Sequence, residues 1–293
     1  MKKIIILFCF FVNSFNLYSL TLPQSKADFC QRYNDLTEQQ SIQVFSQDPI
    51  NLLSFKNEGG LFNGGVCWWH SRFQRNIFYL SIFRPDLEKA KSESEIKQII
   101  HLIRLGTEVI NVPGYSNLED FSRDNQKLIQ AKLNDWQIYD GVVLGGWIDG
   151  LKGDTKVEAL VLEKMTNELY SYVVEKKKVA YQKLQIKGIT SHAWLVVGMK
   201  KMPSGYEIGY LDSNSPRMSL NYSYKISDTS FFIKSYGDFV PYLEFTREEQ
   251  RLLSVGEKYC GITNNFSQER NLLNEKQDLA EAMADGAKTK FDQ

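Results

Sequence analysis

The stretch LFNGGVCWWHSRFQRNIFYLSIFRP, residues 61–85, sets the reading of the whole chain. A glycine bend, Gly64-Gly65, runs into Cys67. Trp69, Phe73, Ile77 and Leu80 then recur at intervals of four, four and three residues. That is the spacing of one face of an α-helix, and Pro85 stops it. A thiol in the first turn of such a helix meets unpaired backbone N–H groups and the positive end of the helix dipole, both of which favour thiolate over thiol. The plainer alternative is a small buried hydrophobe. The aromatic richness of 68–83 reads as core.

Outward from this helix, residues 93–105 place Ile96, Ile99, Ile100 and Ile103 on one helical face, with Gly106 as C-cap. Residues 20–60 read as a short helical region ending in the turn Glu58-Gly59-Gly60. A third periodic run spans Leu118–Tyr139, a turn-rich segment follows at 141–153, and 157–177 reads as a further helix. From residue 189 the character changes. ITSHAWLVVGMK and GYEIGYLD are β-branched and aromatic runs around Lys201-Met202-Pro203-Ser204, a hairpin signal, and 223–245 continues in strand style. Helices followed by strands predict an α+β fold in two lobes: a helical one at about 20–185, a β-rich one at about 186–260, and a C-terminal helix at about 267–285.

The composition bounds the function. With 43% hydrophobic and 24% charged residues in 293, the chain is globular and long enough to bury a full core. Thirty-five basic residues balance 35 acidic ones, so no global field draws nucleic acid or anionic membrane. Lys2 and Lys3 precede an apolar run from Ile4 to Val12, the pattern of a secretory signal peptide with cleavage expected after Ser19 or, alternatively, Ser14. The run is far shorter than a bilayer span. The mature protein, 20–293, is expected to be secreted or periplasmic and monomeric, without membrane or nucleic-acid partners. Cys30, Cys67 and Cys260 remain after cleavage. A Cys30–Cys260 disulfide would tie the two ends and leave Cys67 as the odd thiol; three unpaired cysteines are the other possibility.

The chemistry-bearing residues converge through the hairpin. His192 begins the apolar strand HAWLVVG, an unusual place for a polar ring unless something uses it. If the hairpin turns at Met202–Ser204, His192 falls opposite Asp212 or Asn214 on one face of the sheet. A base then sits beside an orienting carboxylate or amide, and packing of the lobes must bring Cys67 to them. His70 is the rival base, one helical turn below the thiol. His101 reads as a helix-packing residue. With so few histidines and no paired-cysteine motif, no metal site or cofactor is expected.

The motifs GVCWW, SHAWLVVG and YLDSNS, in this order, resemble the papain-like cysteine peptidases. That family has a Cys-Trp pair opening a helix, His-Ala on a later strand, and Asn-Ser on the next. Asp212-Ser213 stands in place of Asn-Ser, closer to effector-type members of the papain clan. The resemblance covers three short motifs. It implies a helical lobe against a β-rich lobe with the cleft between, and a secreted thiol hydrolase acting on a protein or peptide substrate. Cys67 would be the nucleophile, His192 general base and acid, and Asp212 (or Asn214) the orienter. The glutamine that papain places six residues before its cysteine is Leu61 here, so Asn63 and the Cys67 N–H are the expected oxyanion donors. A cell-wall amidase acting on peptidoglycan peptide, a transglutaminase-like acyltransferase using the same residues, and a non-catalytic binding module on this scaffold are the alternatives.

Overall fold

Helices and one large antiparallel sheet meet around the helix that Cys67 opens, so the chain is α+β. The computed structural model describes residues 21–34, 40–60, 65–143, 154–186, 191–241 and 246–262. The expected signal peptide, the helix at 267–285, Leu61, Asn63 and the 144–153 segment lie outside them. The helices are α1 (Lys26–Asn34), α2 (Gln40–Phe45), α3 (Cys67–Leu80), α4 (Glu93–Leu105), α5 (Leu118–Asp124), α6 (Gln126–Gln137), α7 (Ala159–Tyr170) and α8 (Thr246–Tyr259). The strands are β1 (Ser81–Arg84), β2 (Ile110–Pro113), β3 (Ala180–Ile186), β4 (Ser191–Met202), β5 (Gly205–Asp212), β6 (Ser219–Lys225), β7 (Phe231–Ile233) and β8 (Gly237–Pro241).

Every residue of α3 except Arg72 is buried. A helix enclosed on all sides must draw partners for its polar side chains from its neighbours; several are found, while Arg75 Nε and Nη1 and Asn76 Oδ1 stay unsatisfied. Leu53 N–H donates to Gln74 Oε1 (2.9 Å), Ser71 Oγ donates to the Ala193 carbonyl (3.1 Å), and Asn76 Nδ2 donates to the Ile103 carbonyl (2.9 Å). The helix ends at Leu80, the last residue of its apolar spacing, and not at the stop expected from Pro85. Ser81–Arg84 instead pairs in parallel with Ile110–Pro113. The β-branched and aromatic Ile82 and Phe83 suit that buried ribbon. The run 118–139 divides at Asn125, whose backbone leaves helical geometry (φ −116°, ψ 19°) and whose Nδ2 caps the Phe121 carbonyl at 2.9 Å. In α4 the Ser92 hydroxyl accepts from the Glu95 N–H, and Gly106 closes the helix in the left-handed region (φ 61°), as its sequence predicts.

The large sheet begins at Ala180, before the expected change of character, and 246–259, expected within the strand-rich part, is helical. Glu248 and Glu249 in the first turn of α8 suit a helix start. The six strands run in the order β6-β5-β4-β3-β8-β7, all antiparallel. The two ends of that order meet: Tyr222 and Tyr224 of β6 pack edge-on against Phe231 of β7 at 5.3 and 5.7 Å, so the sheet curls towards a closed barrel. Alternation along β4 serves two cores. Trp194 and Val196 point into the curled sheet with Tyr210, Tyr222 and Phe239. Ala193, Leu195 and Val197 point at α3 and the other helices.

The ends are stapled. Cys30 and Cys260 form a disulfide across 230 residues of chain, beside an edge-to-face pair of Phe29 and Tyr259 rings at 5.5 Å. Cys67 takes no part in a disulfide. Among the described residues, no helix is long and apolar enough to cross a membrane.

Candidate active site

The glycine bend is held before the helix begins. Gly65 N–H donates to the Gly59 carbonyl at 2.9 Å, and Gln137 Nε2 from α6 donates to the Gly65 carbonyl at 2.8 Å. Val66 N–H donates to Asn57 Oδ1 at 2.5 Å. Gly65 has φ +82°, and a Cβ there would lie 2.5 Å from Asn57 Nδ2, so the position needs glycine both for its backbone and for room. Cys67 follows as the first residue of α3, buried at 7% exposure.

His192 comes to it from the sheet. Strand β4 pairs Trp194 with Asp212, and His192 lies one step diagonally away on the same face. The expected register is thus met within two residues. His192 Nε2 lies 2.8 Å from Asp212 Oδ1. The Cys67 thiol is hydrogen-bonded to the same imidazole. With Nε2 committed to the carboxylate, Nδ1 is the nitrogen left for the sulfur. The fold therefore brings Cys67, His192 and Asp212 together. Asn214, the alternative orienter, serves differently: its N–H donates to Asp212 Oδ1 at 2.8 Å, while its side chain turns to other partners.

The electrostatics follow the geometry. Burial works against a charged His192, but its interactions with Cys67 and the Asp212 carboxylate outweigh it and carry the imidazole up to about 10. Burial would raise Asp212; hydrogen bonds from His192, Tyr236 and the Asn214 N–H prevail and hold it below the ordinary carboxylate value. His70 is a different case. Its Nε2 lies 3.2 Å from the Phe55 carbonyl, and burial lowers its pKa to about 4, so it is a neutral packing residue below the site. His101 sits half-buried on α4.

Two participants escaped the sequence reading. Tyr236, in the turn between β7 and β8, donates its hydroxyl to Asp212 Oδ2 at 2.5 Å and stacks on the His192 ring (centroids 4.8 Å, 28°). Asn57 bridges Val66 and Asn214 (Nδ2 to Oδ1, 3.1 Å). Neither lies at a spacing that announces it. Tyr236 reaches the site only because β8 pairs with β3 on the side away from β5. Among the described residues, no group of three His, Cys, Asp or Glu side chains could hold a metal ion. In comparisons with known proteins, the chain matches no family, no curated protein and no solved structure.

Proposed function

We propose that the protein is a papain-like thiol hydrolase that cleaves peptide or amide bonds, most simply a peptidase. The carrying observation is a cysteine at a helix start, hydrogen-bonded to an imidazole whose far nitrogen is held by a buried carboxylate. The two cores support the two-lobed reading, because Cys67 comes from the helical one and His192 and Asp212 from the sheet.

In this reading the Cys67 sulfur attacks the substrate carbonyl and forms a C–S bond as the carbonyl π electrons move onto oxygen. The Cys67 N–H, at the start of α3, is the backbone donor assigned to the developing oxyanion. Imidazolium His192 gives its proton to the leaving amine as the C–N bond breaks. Neutral His192 then takes a proton from water, whose oxygen displaces the sulfur and releases the acid. Asp212 keeps the ring oriented throughout, with Tyr236 and the Asn214 N–H sharing its negative charge. The disulfide fits an oxidising, secreted or periplasmic compartment.

The test is iodoacetamide alkylation of Cys67 between pH 5 and 10, read by mass spectrometry, with turnover of a fluorogenic casein alongside. Alkylation at pH 7 should be about 10-fold slower in His192→Ala, and Cys67→Ala should abolish turnover while preserving the fold. A Cys67 that is inert, or that ignores the loss of His192, leaves a binding scaffold rather than an enzyme.

A further inference from the structure

We infer that Asn57 is a positioning residue that fixes both the separation and the hydrogen-bond polarity of the Cys67–His192–Asp212 group. This rests on the hydrolase reading above.

Asn57 makes three hydrogen bonds, and each ends next to a member of that group. Its Oδ1 accepts from Val66 N–H, one residue before Cys67. Its own N–H donates to the Ser213 carbonyl at 2.7 Å, one residue after Asp212. Its Nδ2 donates to Asn214 Oδ1, two residues after Asp212. The nucleophile opens α3 and the base lies on β4, and one short side chain joins the loop that delivers the first to the turn that follows Asp212. The demand for glycine at position 65 has the same origin, since a Cβ there would strike the Asn57 amide.

Polarity follows from the direction of donation. Asn57 Nδ2 donates to Asn214 Oδ1, Asn214 Nδ2 donates to Tyr236 Oη at 2.7 Å, and the Tyr236 hydroxyl donates to Asp212 Oδ2. Every link points its hydrogen toward the carboxylate. An acceptor-only group at position 57 reverses the chain: the Asn214 amide turns to donate to it, Asn214 Oδ1 then faces Tyr236, and the Tyr236 proton leaves Asp212.

Asn57→Asp makes that change at constant shape while keeping the acceptor for Val66 N–H. The experiment measures Cys67 alkylation against pH, kcat and KM on fluorogenic casein, and thermal melting, for wild type, Asn57→Asp, Asn57→Ala and Gly65→Ala. Asn57→Asp should melt like wild type, lose about 10-fold in kcat and in alkylation at pH 7, keep its KM and show a displaced pH profile. Asn57→Ala should lose about 100-fold, the order expected for misplacing a reacting group by about 1 Å. Should Asn57→Ala fail to fold, Asn57→Asp and Gly65→Ala still decide the matter. A wild-type profile and kcat in folded Asn57→Asp would overturn the inference and leave the hydrolase reading standing. A wild-type Cys67 that ignores His192→Ala would overturn both.

Discussion

Tyr236 lies on the face of His192 and donates its hydroxyl to the carboxylate that orients that ring. One side chain thus restricts the imidazole twice, by stacking and through Asp212. Its hydroxyl is buried beside a negative charge, and burial followed by Asp212 pushes its pKa well above the ordinary phenol value, so it stays a donor at any working pH.

Tyr236→Phe separates the two contributions. The ring and its stacking remain, while Asp212 loses a hydrogen bond of the charge-assisted kind, worth about 1.5–3 kcal/mol. Turnover should fall about 10-fold with little change in KM, and the His192 pKa, followed by NMR of the ring protons, should change. Unaltered kcat and titration would show that stacking alone orients the ring.

Stability should decline on the alkaline side. His192 is raised in the fold from 6.5 to about 10, so its contribution is complete below pH 6.5 and disappears as pH climbs through 10. Glu249 behaves alike for another reason. Buried in α8 with its Oε1 accepting from Tyr79 at 2.5 Å, it is raised by burial from 4.5 to about 8. The folded state then binds more protons than the unfolded chain between these values, and stability falls as pH rises across that window. Glu249→Gln keeps an acceptor for Tyr79 and removes the titration. Urea unfolding at pH 5 and pH 8.5 should show a smaller drop in the variant than in wild type.

Glu248 pairs with Arg72 and with the buried Arg75 on α3, so α8 joins Asp140 in supplying negative charge to the helix that Cys67 opens. The Cys30–Cys260 bond fastens the far end of α8 to α1. Cutting it in Cys30→Ser releases a loop of 230 residues, which costs about 5 kcal/mol on chain-entropy grounds. Denaturant midpoints should fall accordingly. A midpoint equal to wild type would mean that the ion pairs hold α8 unaided.

Much of this was legible beforehand because it rests on short-range rules. Spacing around Cys67 marked α3, Gly106 marked a helix end, and the β4–β5 hairpin placed His192 and Asp212 on one face. What stayed hidden depends on long-range partners. The polar face of α3 looks like a solvent face until Leu53, Ala193 and Ile103 are known to meet it. Residues 118–139 keep one apolar rhythm across the break, because Asn125 disturbs the backbone without disturbing the period. Tyr236 sits in a turn and Asn57 in an irregular segment, where sequence patterns say little of what the side chains touch.

The strand order bears on how the molecule comes into being. Cys67 emerges early in synthesis, yet its imidazole partner lies on a central strand and Tyr236 on the outermost hairpin, which must return across β3. Contacts so distant in sequence form late, since loop closure has to precede their reward. A half-made chain carries the thiol without the groups that govern it. On the proposed hydrolase reading, reactivity at residue 67 should arrive only once the last hairpin has docked, and so report maturation.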